Sequence, residues 1–268
     1  MWIAAVLGVL IGAIMGIMGA GGGILAVPVL VAGLHWSMQQ AAPVALVAVA
    51  AGAIVGAIDG FRHRLVRYKA AMLMASLGIP MTHVGQQWAH ALPQHLLMAC
   101  FAALMVAVAR RFYRQALSEN HASDDLLHLA FIRPETGKFI WTPVTAMVLG
   151  AIGAFTGLMT GLLGVGGGFL IVPLMRRFTN LALPGVVATS LFLIALVSGG
   201  GVINALHSGA QLPPLETSGF VFAMVSGMLI GRTVSRRLDA RQVQTGFAGL
   251  LMALAVYLSV KAWGLYPL

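Results

Sequence analysis

The sequence predicts an all-α, polytopic membrane protein made of two inverted repeats whose helices are broken at glycine runs. Three observations carry that expectation. The chain is 59% hydrophobic and only 9% charged over 268 residues. Its apolar runs come at spanning length, and its second half repeats the first after a shift of 145 residues. An ordinary soluble domain carries about 25% charged residues, so with a mean hydropathy of +0.93 this chain is built for a solvent other than water.

A bilayer core about 30 Å thick takes roughly 20 apolar residues per spanning helix. The first run, 1–18, has no Lys or Arg ahead of its apolar stretch and no small-residue cleavage site after it, so it reads as a retained helix rather than a secretory signal. The next run, 22–34, is short, whereas 39–60, 70–88 and 94–113 have spanning length. The stretch 115–138, with Glu119, Asp124, Asp125, Arg133, Glu135 and Lys138, is the one long polar piece. After it come 139–163, a second short run at 167–178, and then 185–206, 216–233 and 241–262. The expected organisation is a first transmembrane repeat over 1–114, a cytoplasmic linker over 115–138 and a second, inverted repeat over 139–268.

The repeat is read residue by residue. A shift of 145 places Gly8, Gly12, Gly16 and Gly19 on Gly153, Gly157, Gly161 and Gly164, and Gly21, Gly22, Gly23, Leu25, Val27 and Pro28 on Gly166, Gly167, Gly168, Leu170, Val172 and Pro173. Ten of the twenty-one positions from Gly8 to Pro28 are identical to their mates. Internal symmetry of this kind is a mark of transporter architectures.

Five segments per half is an odd number, so the second copy enters the membrane from the opposite side. Charge tests this independently, because Lys and Arg mark cytoplasmic loops. Arg62, Arg64, Arg67 and Lys69 form a basic turn whose repeat mate, 207–215, has no Lys or Arg; the bare turn 89–93 corresponds to the basic 234–241. Equivalent loops differ in charge character, which puts both termini outside and the net charge of +9 to work as topology information. The bases sit in short clusters between apolar runs, and no soluble basic domain is present to hold nucleic acid.

The short runs follow Gly19-Ala20-Gly21-Gly22-Gly23 and Gly164-Val165-Gly166-Gly167-Gly168. Each pair of an apolar helix and a short run reads as a re-entrant hairpin with its tip inside the membrane, and inverted topology lets the two tips meet. Irregular backbone at that depth is tolerated only inside protein or beside a water-filled cavity. A helix that starts there offers unpaired N–H groups and the positive end of its dipole. Gly19, Gly21, Gly22, Gly23, Gly164, Gly166, Gly167 and Gly168 are therefore the candidate binding residues for a small anion. Gly8, Gly12 and Gly16, with Gly153, Gly157 and Gly161, have the spacing of closely packed helices, either within one chain or between copies in a homo-oligomer.

Thr189 and Ser190 lie early in an apolar helix and are candidate hydroxyl donors to an oxyanion. His83, beside Thr82, Gln86 and Gln87, is a candidate for proton coupling. Cys100 lies inside an apolar run and reads as a buried thiol; as the single cysteine it gives no disulfide and no thiolate metal site. No cofactor or metal is expected. No acid, base and nucleophile set lies in the apolar segments, and neither a Gly-x-Ser-x-Gly elbow nor a P-loop is present, so neither an enzyme nor an ATP-driven pump is expected. The acidic residues lie in the linker or at segment ends, which argues against a cation as cargo. A secondary transporter of a small anion, working by alternating access, is the expected function; an anion channel and a membrane anchor or assembly subunit are the alternatives.

The doubled motif, Gly19-Ala20-Gly21-Gly22-Gly23 with Val27-Pro28 and Gly164-Val165-Gly166-Gly167-Gly168 with Val172-Pro173, followed by Ala188-Thr189-Ser190-Leu191, resembles the sulfite exporter TauE/SafE family along essentially the whole chain. That resemblance implies a multi-pass protein of a bacterial inner membrane that carries sulfite, a sulfonate or a related anion. Two features depart from the family pattern: Ala42-Pro43-Val44 stands where the second half has Ala-Thr-Ser, and the turn after Asp59 is unusually basic.

Overall fold

The computed structural model describes residues 2–117, 129–132, 139–210, 212–235 and 240–263. Most of the linker, with Glu119, Asp124, Asp125, Arg133, Glu135 and Lys138, lies outside them, as do Arg236, Arg237 and Asp239.

The described residues form α-helices joined by short turns, with no strand beyond two isolated bridges. The first half holds α1 (Trp2–Met18), a 3-10 stretch (Gly19–Leu25), α2 (Ala26–Gly33), α3 (Met38–Arg62), α4 (Tyr68–Ala91) and α5 (Gln94–Leu117). The second holds α6 (Pro143–Leu163), α7 (Gly168–Phe178), α8 (Leu183–His207), α9 (Pro214–Ser235) and α10 (Ala240–Ala262). Seven segments among the described residues are long and apolar enough to cross a membrane. Local chemistry sets several starts. Ser37 caps α3 in a reciprocal box with Gln40, and Thr142 accepts the Thr145 N–H ahead of Pro143 at the first position of α6.

One of the seven segments, Ala4–Gly33, is a single run by length and hydropathy, yet it doubles back. A Cβ on Gly22 would strike the Met15 backbone, and one on Gly33 would strike the Leu7 side chain. The α1–α2 pair is therefore a hairpin.

The glycine faces of α1 and α6 are spent within the chain. A Cβ on Gly12 would overlap the Met224 carbonyl of α9, and one on Gly16 would overlap that of Met228. In the mate crossing, Gly153, Gly157 and Gly161 of α6 lie on the backbone of Met74, Gly78 and Thr82 in α4. Each of these helix pairs runs parallel at backbone contact, which only a missing side chain permits. Between them α3 and α8 run antiparallel, with Gly60 against Ala188, Gly56 against Leu191 and Gly201 against Leu46. Helices α5 and α10 pack on each other at the flank, with Phe112 and Phe247 edge to face. Cys100, expected in the core, is on an exposed face of α5: an apolar run on a flanking helix turns one side to the surroundings, and periodicity alone does not say which residues fall there.

The bundle has a basic end, where α3, α7 and α9 finish with Arg62, Arg176, Arg177 and Arg232. Its opposite, bare end carries the turns around 35–37, 92–93 and 208–210.

Candidate functional site

The two glycine runs meet in the middle of the bundle. A Cβ on Gly168 would overlap the Ala20 carbonyl, and one on Gly23 would stand 3.5 Å from the Val165 carbonyl oxygen. Each contact is the 145-residue mate of the other. The same holds at the tips, where Gly19 meets Val187 of α8 and Gly164 meets Ala42 of α3. Val49 of α3 and Ile194 of α8, themselves mates, close the sides of the runs. The segments 20–28 and 163–169 are buried throughout.

Equivalent position does not bring equivalent conformation. In the second run Gly164, Gly166 and Gly167 have φ of +71°, +69° and +64°, a region closed to most side chains, and these turns let α7 start afresh at Gly168. In the first run only Gly19 is left-handed, at φ +69°. Gly21, Gly22 and Gly23 carry on as a 3-10 turn, so the expected helix start at residue 22 moves to Ala26. A 3-10 stretch bonds most of its own N–H groups. The expectation of two open helix ends converging is thus corrected: only the second run opens one.

Polarity divides the same way. Near the second run stand buried hydroxyls: Thr82 of α4 packs on Gly161 ahead of it, and Thr156 and Thr160 of α6 and Ser198 of α8 pack on the run itself. The repeat mates of the last three are Ile11, Met15 and Ala53. Thr82 donates to the carbonyls of Gly78 (2.9 Å) and Gly157 (3.0 Å), Thr156 to that of Ile152 (2.7 Å) and Thr160 to that of Thr156 (2.8 Å). Ser198 Oγ is fully buried and has no hydrogen-bond partner among the described residues.

A cavity of about 360 Å³ opens between the turns of the bare end and is lined by Gln40, Ala42, Leu46, Gln86, Gly161 and Leu163, with His90 and Glu216 also on its wall. Its inner part reaches the tip of the second hairpin, because Ala42 is the residue that Gly164 touches. Gln86 donates Nε2 to the Gly201 carbonyl at 2.8 Å and leaves Oε1 buried without a partner. At the basic end the halves are tied instead. Asp59 on α3 pairs with Arg232 on α9, Arg67 N–H donates to Thr189 Oγ1 at 3.0 Å, and Ser235 Oγ donates to the Ile17 carbonyl at 3.3 Å.

Of the residues expected at a site, Gly23 and Gly168 bring the two glycine runs into contact, and three others stand apart. Thr189 is buried near the basic end with its hydroxyl accepting from Arg67, and Ser190 faces the Met175 sulfur at 3.9 Å. His83 is on an exposed part of α4, its Nε2 3.0 Å from Gln87 Nε2. Ser198 and the Asp59–Arg232 pair were not anticipated. Ser198 did have a signal: a polar residue followed by Gly199, Gly200 and Gly201 inside an apolar helix, with Ala53 as its mate.

The chain is similar in sequence to known membrane transporter proteins. A family model described as sulfite exporter TauE/SafE matches residues 4–258. A probable membrane transporter protein of Xylella fastidiosa (strain 9a5c) is 25% identical over 265 residues, covering 96% of this chain and 94% of the relative. The probable membrane transporter protein YunE of Bacillus subtilis (strain 168) is 24% identical over 250 residues, covering 90% of each. No solved structure matches.

Proposed function

Since the chain belongs to the sulfite exporter TauE/SafE family, and is a multi-pass membrane transporter, we propose that its cargo is a small oxyanion, sulfite or a sulfonate, and that it works by alternating access. The observation that carries this reading is the meeting of the two glycine runs at mate contacts, between a cavity at one end of the bundle and tied halves at the other. A binding region at the interface of two inverted halves, reached from one side at a time, is how carriers of this architecture work. The antiparallel course of α3 and α8 supports the inverted relation of the halves. In a bacterial inner membrane the basic end faces the cytoplasm and the cavity faces outward.

Counterflow tests the reading. Proteoliposomes loaded with unlabelled sulfite are expected to accumulate labelled sulfite with saturable kinetics, faster than empty ones. Flux that rises linearly with concentration and ignores the internal anion would instead describe a channel, and no flux at all would remove the transport reading for this cargo.

A further inference from the structure

A hydroxyl inside an apolar helix ordinarily returns its proton to a carbonyl three or four residues back, as Thr156 and Thr160 do. Ser198, fully buried on α8, makes no such bond. Leaving a buried polar group unmade is costly, so the feature calls for a partner that comes and goes. Its Oγ lies 3.2 Å from the point where a Cβ on Gly166 would stand, so the missing side chain lets the hydroxyl face the backbone of the second run. That backbone opens α7. The first helical bond there runs from Leu170 N–H to the Gly167 carbonyl at 3.0 Å, and the N–H groups ahead of it have no helical acceptor.

On the anion reading above, we propose that the cargo is held on one side only, at the second run, with Ser198 Oγ–H and the first N–H groups of α7 as its donors. The first run serves as the opposing wall. It has a 3-10 turn in place of an open helix end, and Ala53 in place of Ser198. The cavity supplies the approach. Gly201, one turn from Ser198 along α8, is bonded through its carbonyl to Gln86 on the cavity wall. The atoms nearest an added Cβ at Gly166, Gly167 and Gly168 are hydroxyls, backbone and apolar side chains. A donor set of neutral dipoles offsets the desolvation of one negative charge far better than of two, since that cost rises with the square of the charge. The site therefore selects a monoanion, a sulfonate or hydrogensulfite, over sulfate.

Binding of methanesulfonate, sulfite and sulfate to the purified full-length protein tests this, with Ser198→Ala and Ala53→Ser beside the wild type. Ser198→Ala is expected to weaken methanesulfonate binding about tenfold or more. Its ligand-free melting temperature should equal or exceed the wild type's, because no internal bond is lost and alanine favours the helix. Ala53→Ser should leave affinity unchanged, and sulfite should bind more tightly as pH falls and it takes up a proton. Methanesulfonate binding that Ser198→Ala retains in full would overturn the placement while the anion reading stands. Sulfate bound as tightly as methanesulfonate would overturn the monoanion selection. A wild type that binds neither sulfite nor methanesulfonate would overturn the anion reading, and this site with it.

Discussion

Asp59 of α3 accepts a hydrogen bond from Arg232 of α9 at the basic end, whereas the repeat mates of these two residues at the bare end are Asn204 and Gln87, and Gln87 is bonded to His83 instead. An ion pair thus ties the halves at the basic end, and its uncharged mates lie at the bare end, where the cavity of about 360 Å³ opens. The side chains of the pair are 38% and 40% exposed, so solvent screens it and its contribution is on the order of 0–1 kcal/mol.

A pair of that strength affects the melting temperature little but can shift a balance between two arrangements several-fold. In a Cys100→Ala background, Asp59→Asn is expected to raise thiol labelling, from the basic side, of a Val187→Cys reporter lying against Gly19. The reversed pair, Asp59→Arg with Arg232→Asp, should bring labelling back down. Unchanged labelling in Asp59→Asn would mean that the pair has no part in the closure.

The packing glycines should behave unlike the free ones. Gly157→Ala drives a Cβ into the backbone of Gly78, where neither helix can yield, and is expected to cost about 1–3 kcal/mol or more. Gly199 has no atom within 4 Å of an added Cβ; Gly199→Ala is expected to leave stability unchanged or raise it by up to about 1 kcal/mol. Thermal unfolding of the two variants in one detergent decides.

Position by position the two glycine runs should not be interchangeable. Gly166 is left-handed, and its added Cβ would meet Val49 Cγ1 at 2.6 Å, whereas the nearest atom to a Cβ on its repeat mate Gly21 is Phe112 Cζ at 3.8 Å. Gly166→Ala is expected to lose about 1–2 kcal/mol from backbone strain alone, together with most anion-dependent stabilisation, and Gly21→Ala to keep both. Equal losses at the two positions would contradict the one-sided site.

Thr189→Val removes the acceptor for the Arg67 N–H that precedes α4. A loss of about 1 kcal/mol in stability is expected, visible as a lower melting temperature both without ligand and with it. If stability held and only anion affinity fell, Thr189 would belong to the binding site instead.

Much of the fold was legible because the bilayer imposes length and apolarity on each helix, and both are local properties. All ten apolar runs correspond to helices, with ends moved by a few residues: α3 reaches Arg62 and α4 reaches Ala91. The first short run differs more, starting at Ala26. Gly21, Gly22 and Gly23 are permitted both the left-handed and the 3-10 conformation, and local sequence does not say which is taken. Composition marked the glycine runs as a candidate site but could not show their inequality, since that depends on which side chains of α6 and α8 arrive beside them. Thr82, Thr156 and Ser198 are far apart in the chain, and no spacing rule joins them.

By itself the sequence determined the helical membrane class, the doubled glycine motif, the alternation of basic and bare turns and the close-packing stripes, because each is written in residues at fixed separation. Tertiary structure decided which of two near-identical glycine runs opens a helix end and which hydroxyl is left unbonded beside it. It also decided that Asp59 reaches Arg232. Those facts depend on contacts between segments remote in sequence, where a half-turn's rotation of one helix replaces Ser198 with an apolar neighbour and removes the donor.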